Sequence, residues 1–414
     1  MLHIAEVKHI FNIHRKKYIA NRWVIYWCVK EISMEYRVKE YIKPGMTDSE
    51  AIRAVLAESA SDTGRTIIFE GKDFFLSEAI ILPSDTTVII DGCTLKQNDC
   101  TFDNIFRGDN IDFAPQNPYG YAVAVRPLKN IRIIGKNHAA LIGPDRNRFT
   151  QDHPACGSGE FAIKLHMEMT GDYWGWRSHQ LHFANCDGIG IEGLSVAKTR
   201  GWAMTFSFCS RVMIHDIHFD THVKNGDGID FRAGCHHCEV WNITGYNSDD
   251  TVACTAIAPA GYDTPEAEKI PLPGIYPGEP ARLILGRDDL RKMDIHDIKI
   301  HDMNISGCFH GVICLAAGGL QVYNIAVSNI VEAAERSWPL VEIYTGYGSG
   351  YTKGDLHDIT VENITAATHD RKDFPRAAIT VKAGVKNVSI KNVAQKGTAA
   401  KYEFSDPEGI NVDE

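Results

Sequence analysis

The chain carries no surplus of positive charge. Its 414 residues hold 43 Lys and Arg against 53 Asp and Glu, a formal net charge of −10. A nucleic-acid binder would show a basic patch or stripe, so that class is excluded. Long apolar runs are missing too. The stretch Trp23-Val24-Ile25-Tyr26-Trp27-Cys28-Val29 is too short and too interrupted to span a bilayer. No small-residue cleavage site follows it, so no secretory signal is expected. Together these absences point to a cytoplasmic protein with no membrane partner. Helical periodicity is equally scarce. One helix is predicted where Thr47-Asp48-Ser49-Glu50 precedes Ala51-Ile52-Arg53-Ala54-Val55-Leu56-Ala57. Thr47 and Glu50 make a capping box, and Ile52, Val55 and Leu56 share a face. Beyond it that period largely vanishes.

The chain also lacks paired cysteine motifs. There are 11 cysteines, an odd number. Most lie in apolar runs, as Cys209, Cys254 and Cys314 do, where a thiol acts as a small core residue. The segment Cys235-His236-His237-Cys238 has neither the second half-site of a zinc module nor the helix of a redox motif. It runs straight into Val240-Trp241-Asn242-Ile243, so it reads as a turn with inward thiols. Histidines such as His215, His218, His296 and His301 alternate along strands and read as outward or turn residues. No metal and no cofactor are expected. Residues 1–33 are basic and aromatic, and Met34-Glu35-Tyr36-Arg37-Val38 resembles a natural start. The first 33 residues are expected to be an upstream extension or a loosely packed appendage, with 34–414 as one domain. Intact mass of the native protein tests this.

What the chain has is glycine, 35 residues of it, and frequent short Ile/Val/Thr runs, the mark of a β-rich fold with many turns. A degenerate repeat runs through it: an apolar residue, any residue, Asn/Asp/Gly, then Ile/Val/Leu. It appears as Leu128-Lys129-Asn130-Ile131, Ile191-Glu192-Gly193-Leu194, Ile214-His215-Asp216-Ile217 and Val240-Trp241-Asn242-Ile243. It continues as Ile295-His296-Asp297-Ile298, Val322-Tyr323-Asn324-Ile325, Leu356-His357-Asp358-Ile359 and Val385-Lys386-Asn387-Val388. Repeats of roughly 20–50 residues signal a solenoid, and short β runs without helices make it a parallel β-helix. The apolar positions stack inward, rung on rung. The third position suits a bend, because Asn tolerates left-handed backbone. The early helix would cap the open first rung.

Two acidic clusters stand out against this background. Asn225-Gly226-Asp227-Gly228-Ile229-Asp230 and Asn247-Ser248-Asp249-Asp250 place Asp227 and Asp249 22 residues apart (249 − 227). That is about one turn of such a coil, so the clusters should sit on neighbouring rungs. Paired carboxylates on a rigid surface suit acid/base cleavage of a glycosidic bond; the plainer alternative is turn chemistry. Crowded carboxyls cannot all ionise easily, so one should retain its proton. Two long excursions interrupt the repeat. Proline-rich 259–283 reads as a functional loop on the side of the Asp clusters or as a surface excursion. The other, 143–180, includes Asp172-Tyr173-Trp174-Gly175-Trp176-Arg177. Trp174 and Trp176 there suit sugar stacking or buried packing.

These motifs, in this order, resemble those of the polygalacturonase-type glycoside hydrolases (family 28). The resemblance spans about residues 45–395 and rests on Asn225–Asp230, Asp249-Asp250 and Phe309-His310-Gly311. Arg177-Ser178-His179-Gln180-Leu181 and the run at Trp202 support it more weakly. It implies an all-β, right-handed single-stranded parallel β-helix. It also implies inverting hydrolysis of pectin-type (galacturonate-containing) or related oligo- or polysaccharides. Asp249 would be the general acid, Asp227 and Asp250 would activate water, and His310 would support the acid and orient the sugar. Asn225 would position Asp227 or substrate. The carboxyls of an inverting pair stand roughly 6.5–9.5 Å apart. The chain departs from the family where Arg-Ile-Lys is replaced by Glu342-Ile343-Tyr344, where Gly226 replaces Thr, and where the Lys after the paired aspartates falls near Thr255. A forked Arg is the usual grip on a carboxylate, so a uronate beside Glu342 and Tyr344 would meet repulsion. Lys224 or Arg232 is the alternative source of positive charge. Two rivals remain: a calcium-dependent polysaccharide lyase on the same fold, and a non-catalytic carbohydrate-binding β-helix.

Overall fold

The computed structural model describes residues 34–113, 122–146, 176–257, 290–347, 352–370 and 376–413. Residues 1–33, Trp174 and the loop 259–283 lie outside these. Among the described residues, fifteen strands form one sheet and ten form another, with a separate two-stranded sheet. The chain alternates between the two large sheets, and pairing within each is parallel. In the first, Ser210–Thr221 pairs with His236–Asn247, then Ile295–Gly307, Gln321–Glu332, Asp355–Ala366 and Val385–Gln395 follow. In the second, Met204–Ser207, Ile229–Arg232, Val252–Ile257, Val312–Ala317, Val341–Thr345 and Ala377–Val381 stack likewise. This is a parallel β-helix.

Its core is built by repetition. Ile214, Val240, Ile300, Val327, Val361 and Ile390 occupy one register position on successive rungs, and all are buried. Burying each such side chain contributes about 1.5–3 kcal/mol relative to exposure. Cys209, Cys235, Cys238, Cys254 and Cys314 are buried beside them, which is where the sequence placed its thiols. The helix Asp48–Glu58 sits at the first rungs and buries Ala51, Ile52 and Val55. Its capping box is complete: Thr47 Oγ1 accepts from Glu50 N–H, and Glu50 Oε2 accepts from Thr47 N–H at 2.7 Å.

The repeat's third position is where the first sheet bends. All eight of those residues have positive φ, from 51° at Asn387 to 73° at Gly193. Only Gly, Asn and Asp enter this region routinely. A second device reinforces the bend in four places. The Nδ1 of His215, His296, His301 and His357 lies 2.7–2.8 Å from Oδ2 of the following Asp. The Oδ1 of each of those aspartates accepts the side-chain amide of an Asn on the next rung, namely Asn242, Asn324, Asn329 and Asn387. Each carboxylate is held below the usual range, at Asp358 first by His357 and then by Asn387. Asp358→Ala is therefore expected to destabilise the protein by about 1–2 kcal/mol from backbone strain alone, read as a lower urea midpoint. Asp358→Asn keeps the left-handed tolerance and should stay close to wild type. Equal midpoints for the two variants would remove the bend as the cause.

Candidate active site

The acidic clusters lie in the turns that feed the second sheet. Register pairs Met204 with Ile229, Ile229 with Val252, and Val252 with Val312. The backbone bonds Ala203 N to Asp227 O, Gly228 N to Asp250 O, and Thr251 N to His310 O extend it backward. Trp202, Asp227, Asp250 and His310 thus occupy one column on successive rungs. Strands lie about 4.8 Å apart, so the column sets the carboxylate spacing. Each of Asp227, Asp249 and Asp250 offers an oxygen within 4.8 Å of the other two. Stacking on adjacent rungs brings these nearest oxygens together.

Local packing fixes the Asp227 turn. Thr221 Oγ1 donates to Gly226 O at 2.6 Å, and Ser248 Oγ donates to Val223 O at 2.5 Å. Asn247 Nδ2 donates to Thr221 Oγ1 at 3.1 Å. Thr221, Asn247 and Ser248 are buried. A Cβ at Gly226 would stand 2.3 Å from Ser248 Oγ and 2.8 Å from Val223 O, so the family's Thr would not fit this turn. Lys224 and Asn225 are half-buried on the approach to Asp227, and Asn225 has a φ of 54°.

Asp227 is buried, while Asp249 and Asp250 keep part of their surface open. Asp230, the last residue of the first cluster, points out of the same sheet and is fully buried. Among the described residues neither of its oxygens has a hydrogen-bond partner, and Arg232 Nη1 stands 3.9 Å from Oδ1. Burial, then neighbouring carboxylates, pushes Asp227 and Asp249 well above the usual carboxylate range. Burial does the same to Asp230, against the pull of Arg232. Crowding and burial of this kind favour the protonated form of one of the carboxyls.

His310 joins the cluster to Glu342. Its Nδ1–H donates to Asp250 Oδ1 at 2.7 Å, and its backbone N–H reaches the same oxygen at 3.3 Å. Its Nε2 lies 2.5 Å from Glu342 Oε2, a close ion pair that is not aligned as a hydrogen bond. Burial alone would lower the His310 pKa, but Asp250 and Glu342 outweigh it and raise it to about 9. Burial would raise the Glu342 pKa, and His310 and then Lys382 hold it down at about 2. Lys382 Nζ pairs with Glu342 Oε1. Lys382 follows Tyr344 by one rung, since Ile343 pairs with Val381, and its Nζ sits 4.9 Å from the Tyr344 ring centroid. The sequence showed both family cations lost here. The neighbouring rung brings Lys382 to Glu342.

Other predicted site residues have different surroundings. Arg232 is buried against Trp202, 4.7 Å from its ring centroid, and donates to Thr255. Its charge serves Asp230 and the sheet. Tyr344 is half-buried beside the apolar patch of Ala253, Ile257, Ile313, Leu315 and Ala317. Burial, then Glu342, raises its pKa. Trp176 is 1% exposed and packs with Ile111, Val125 and Ala184, its ring stacked 4.5 Å from His182. That corrects its reading as a sugar platform: its large apolar face is used inside the protein. Sequence reasoning missed Asp230, Lys382 and the Thr221–Ser248 bolts. Asp230 was within reach, three residues from Asp227 in the same acidic cluster.

No family model and no curated protein sequence matches the chain. Solved structures do. The exopolygalacturonase of Thermotoga maritima aligns over 91% of this chain and 91% of its own, at 12% identity and a TM-score of 0.52. The family 28 exopolygalacturonase of Yersinia enterocolitica aligns over 92% of this chain and 78% of its own, at 12% identity and a TM-score of 0.52. A tailspike protein of Escherichia coli bacteriophage HK620, solved with a pentasaccharide, aligns over 91% of this chain and 67% of its own, at 13% identity and a TM-score of 0.54. At these identities the likeness is one of fold: the chain shares the β-helix of polygalacturonases and of a carbohydrate-binding tailspike.

Proposed function

We propose that the protein is an inverting glycoside hydrolase acting on an oligosaccharide or polysaccharide whose sugar beside Glu342 is uncharged. The observation that carries this is the column of Asp227, Asp250 and His310 on successive rungs, with Asp249 beside it. Asp249 has a raised pKa and an open face, so it can carry a proton to a leaving oxygen. Two acceptors within 4.8 Å of each other can be bridged by one water at about 2.7 Å from each. Asp227 and Asp250 would hold the attacking water in this way. His310 keeps Asp250 oriented as an acceptor and carries the charge that Glu342 balances. Inversion rests on the resemblance, and pectin-type chains remain the nearest relatives of the substrate. The acid and the base are both carboxyls, so the step needs no cofactor.

One observation favours a second class. The three converging carboxylates could hold a divalent cation, as a β-helix lyase acting on a uronate would require. The experiment is reducing-end release from neutral and uronate-rich oligosaccharides, with and without EDTA. Ultraviolet absorbance is followed in parallel, and the anomer of the first product is read by proton NMR. Cleavage unaffected by EDTA, with no new absorbance and an inverted anomer, is expected. An absorbance rise abolished by EDTA would replace hydrolysis with elimination. Sugar binding without any product would make this a binding protein.

A further inference from the structure

A second cluster of chemistry lies on the outer face of the first sheet. The segment Cys235-His236-His237-Cys238 is divided by its bend. Both thiols are buried, while His237 is exposed and His236 half-buried. The next rung brings His296 and Asp297 alongside. His236 pairs in register with His296, their rings stacked 5.0 Å apart at 4°. His237 and Asp297 share the left-handed bend, each with a φ of 56°. His237, His296 and Asp297 each offer a donor atom within 4.8 Å of the other two. His237 Nε2 is 3.6 Å from Asp297 Oδ2, and His296 Nδ1 is 2.7 Å from that same oxygen.

Every one of these groups is also held from behind. His237 Nδ1 lies 2.8 Å from His236 Nδ1, so its proton can sit between the two rings while Nε2 faces Asp297 Oδ2. Asp297 Oδ1 accepts from Asn324 Nδ2, which aims Oδ2 at the imidazoles. The His296 ring is clamped between His236 and Tyr323, the latter 4.9 Å away. Outer partners of this kind fix tautomer and orientation in metal sites.

We propose that His237, His296 and Asp297 bind a divalent transition-metal ion of the zinc class. Two imidazoles and one carboxylate suit such an ion and not calcium or magnesium. Zinc–ligand distances of about 2.0–2.2 Å require the His237–Asp297 contact to close slightly and the His296–Asp297 contact to open. The proton shared by His296 and Asp297 leaves as the ion enters. The ion would tie His236–Asn247 to Ile295–Gly307, the two paired strands on either side of the 258–289 excursion. Its effect is a staple across the longest step in the coil, on a different sheet from the strands that the Asp column feeds.

Untagged full-length protein, freed of metal with EDTA and dialysed, is titrated with zinc chloride by calorimetry and melted with and without it. One equivalent binding in the micromolar range, with a raised melting temperature, is expected. Magnesium chloride should give neither. His237→Asn and Asp297→Asn keep residues tolerated at a left-handed bend and should weaken zinc at least tenfold. Asp358→Asn, at the same bend further along, should not. Absence of zinc binding at 100-fold excess over protein would overturn the site. So would binding that survives both variants, or binding lost only in Asp249→Asn, which places the ion in the acidic column.

Discussion

Asp249→Asn is expected to lower kcat by about 10²–10⁴-fold, the usual contribution of a positioned acid or base, with KM nearly unchanged. The change removes one ionisable proton and little else. Asp249 accepts from its neighbour's backbone, Asp250 N–H at 3.1 Å, and an amide oxygen can replace that acceptor. Asp227→Asn should cost a comparable factor by removing one of the two acceptors for water. The double variant should lose little more than the worse single one, because groups that act as a unit are not additive. Initial rates at saturating and limiting substrate, with calorimetric binding of an uncleaved oligosaccharide, measure all of this. Asp249→Asn turning over within threefold of wild type would end its assignment as the acid. Lost binding with unchanged kcat would make the aspartates substrate ligands.

The fold was legible because two physical demands recur on every rung. A bend at positive φ admits little besides Gly, Asn and Asp, and Asn130 through Asn387 answer it eight times. A stack of identical rungs wants β-branched residues in register, and Ile214 through Ile390 supply them. The site was legible in its acidic part for the same reason: the 22 residues between Asp227 and Asp249 are close to one turn, which pairs Ile229 with Val252. What stayed hidden depends on contacts between rungs that spacing does not encode. Lys382 lies 40 residues beyond Glu342 (382 − 342) and reaches it only through the pairing of Ile343 with Val381. His237 and His296 are 59 residues apart (296 − 237) and meet because the long excursion adds no rung between their strands. Trp176 misled because an aromatic in an irregular stretch reads alike whether it faces a groove or a core.

A neutral sugar should be cleaved at least 100-fold faster, in kcat/KM, than its uronate counterpart occupying the same position. Three cations near the acidic column are already matched. His310 lies between Asp250 and Glu342, Lys382 is paired with Glu342, and Arg232 stands by Asp230. A substrate carboxylate entering there would meet Glu342, which is 3% exposed and fixed on a strand. Charge-assisted hydrogen bonds contribute about 1.5–3 kcal/mol each, or roughly 10- to 150-fold in rate constant ratio. Glu342→Gln releases Lys382 and removes the repulsion, so the uronate-to-neutral ratio should rise by at least tenfold even if both rates fall. Expressing the result as a ratio separates specificity from any loss common to both substrates. The same variant should also move the alkaline limb of the pH profile. His310 has a folded pKa raised to about 9, so its charge persists through neutral pH and is lost as pH rises through that value. Without Glu342 one of its two supporting carboxylates is gone, and the limb should shift to lower pH. A wild type that prefers the uronate, or a Glu342→Gln variant with an unchanged ratio, would show that the carboxylate is received elsewhere in the groove.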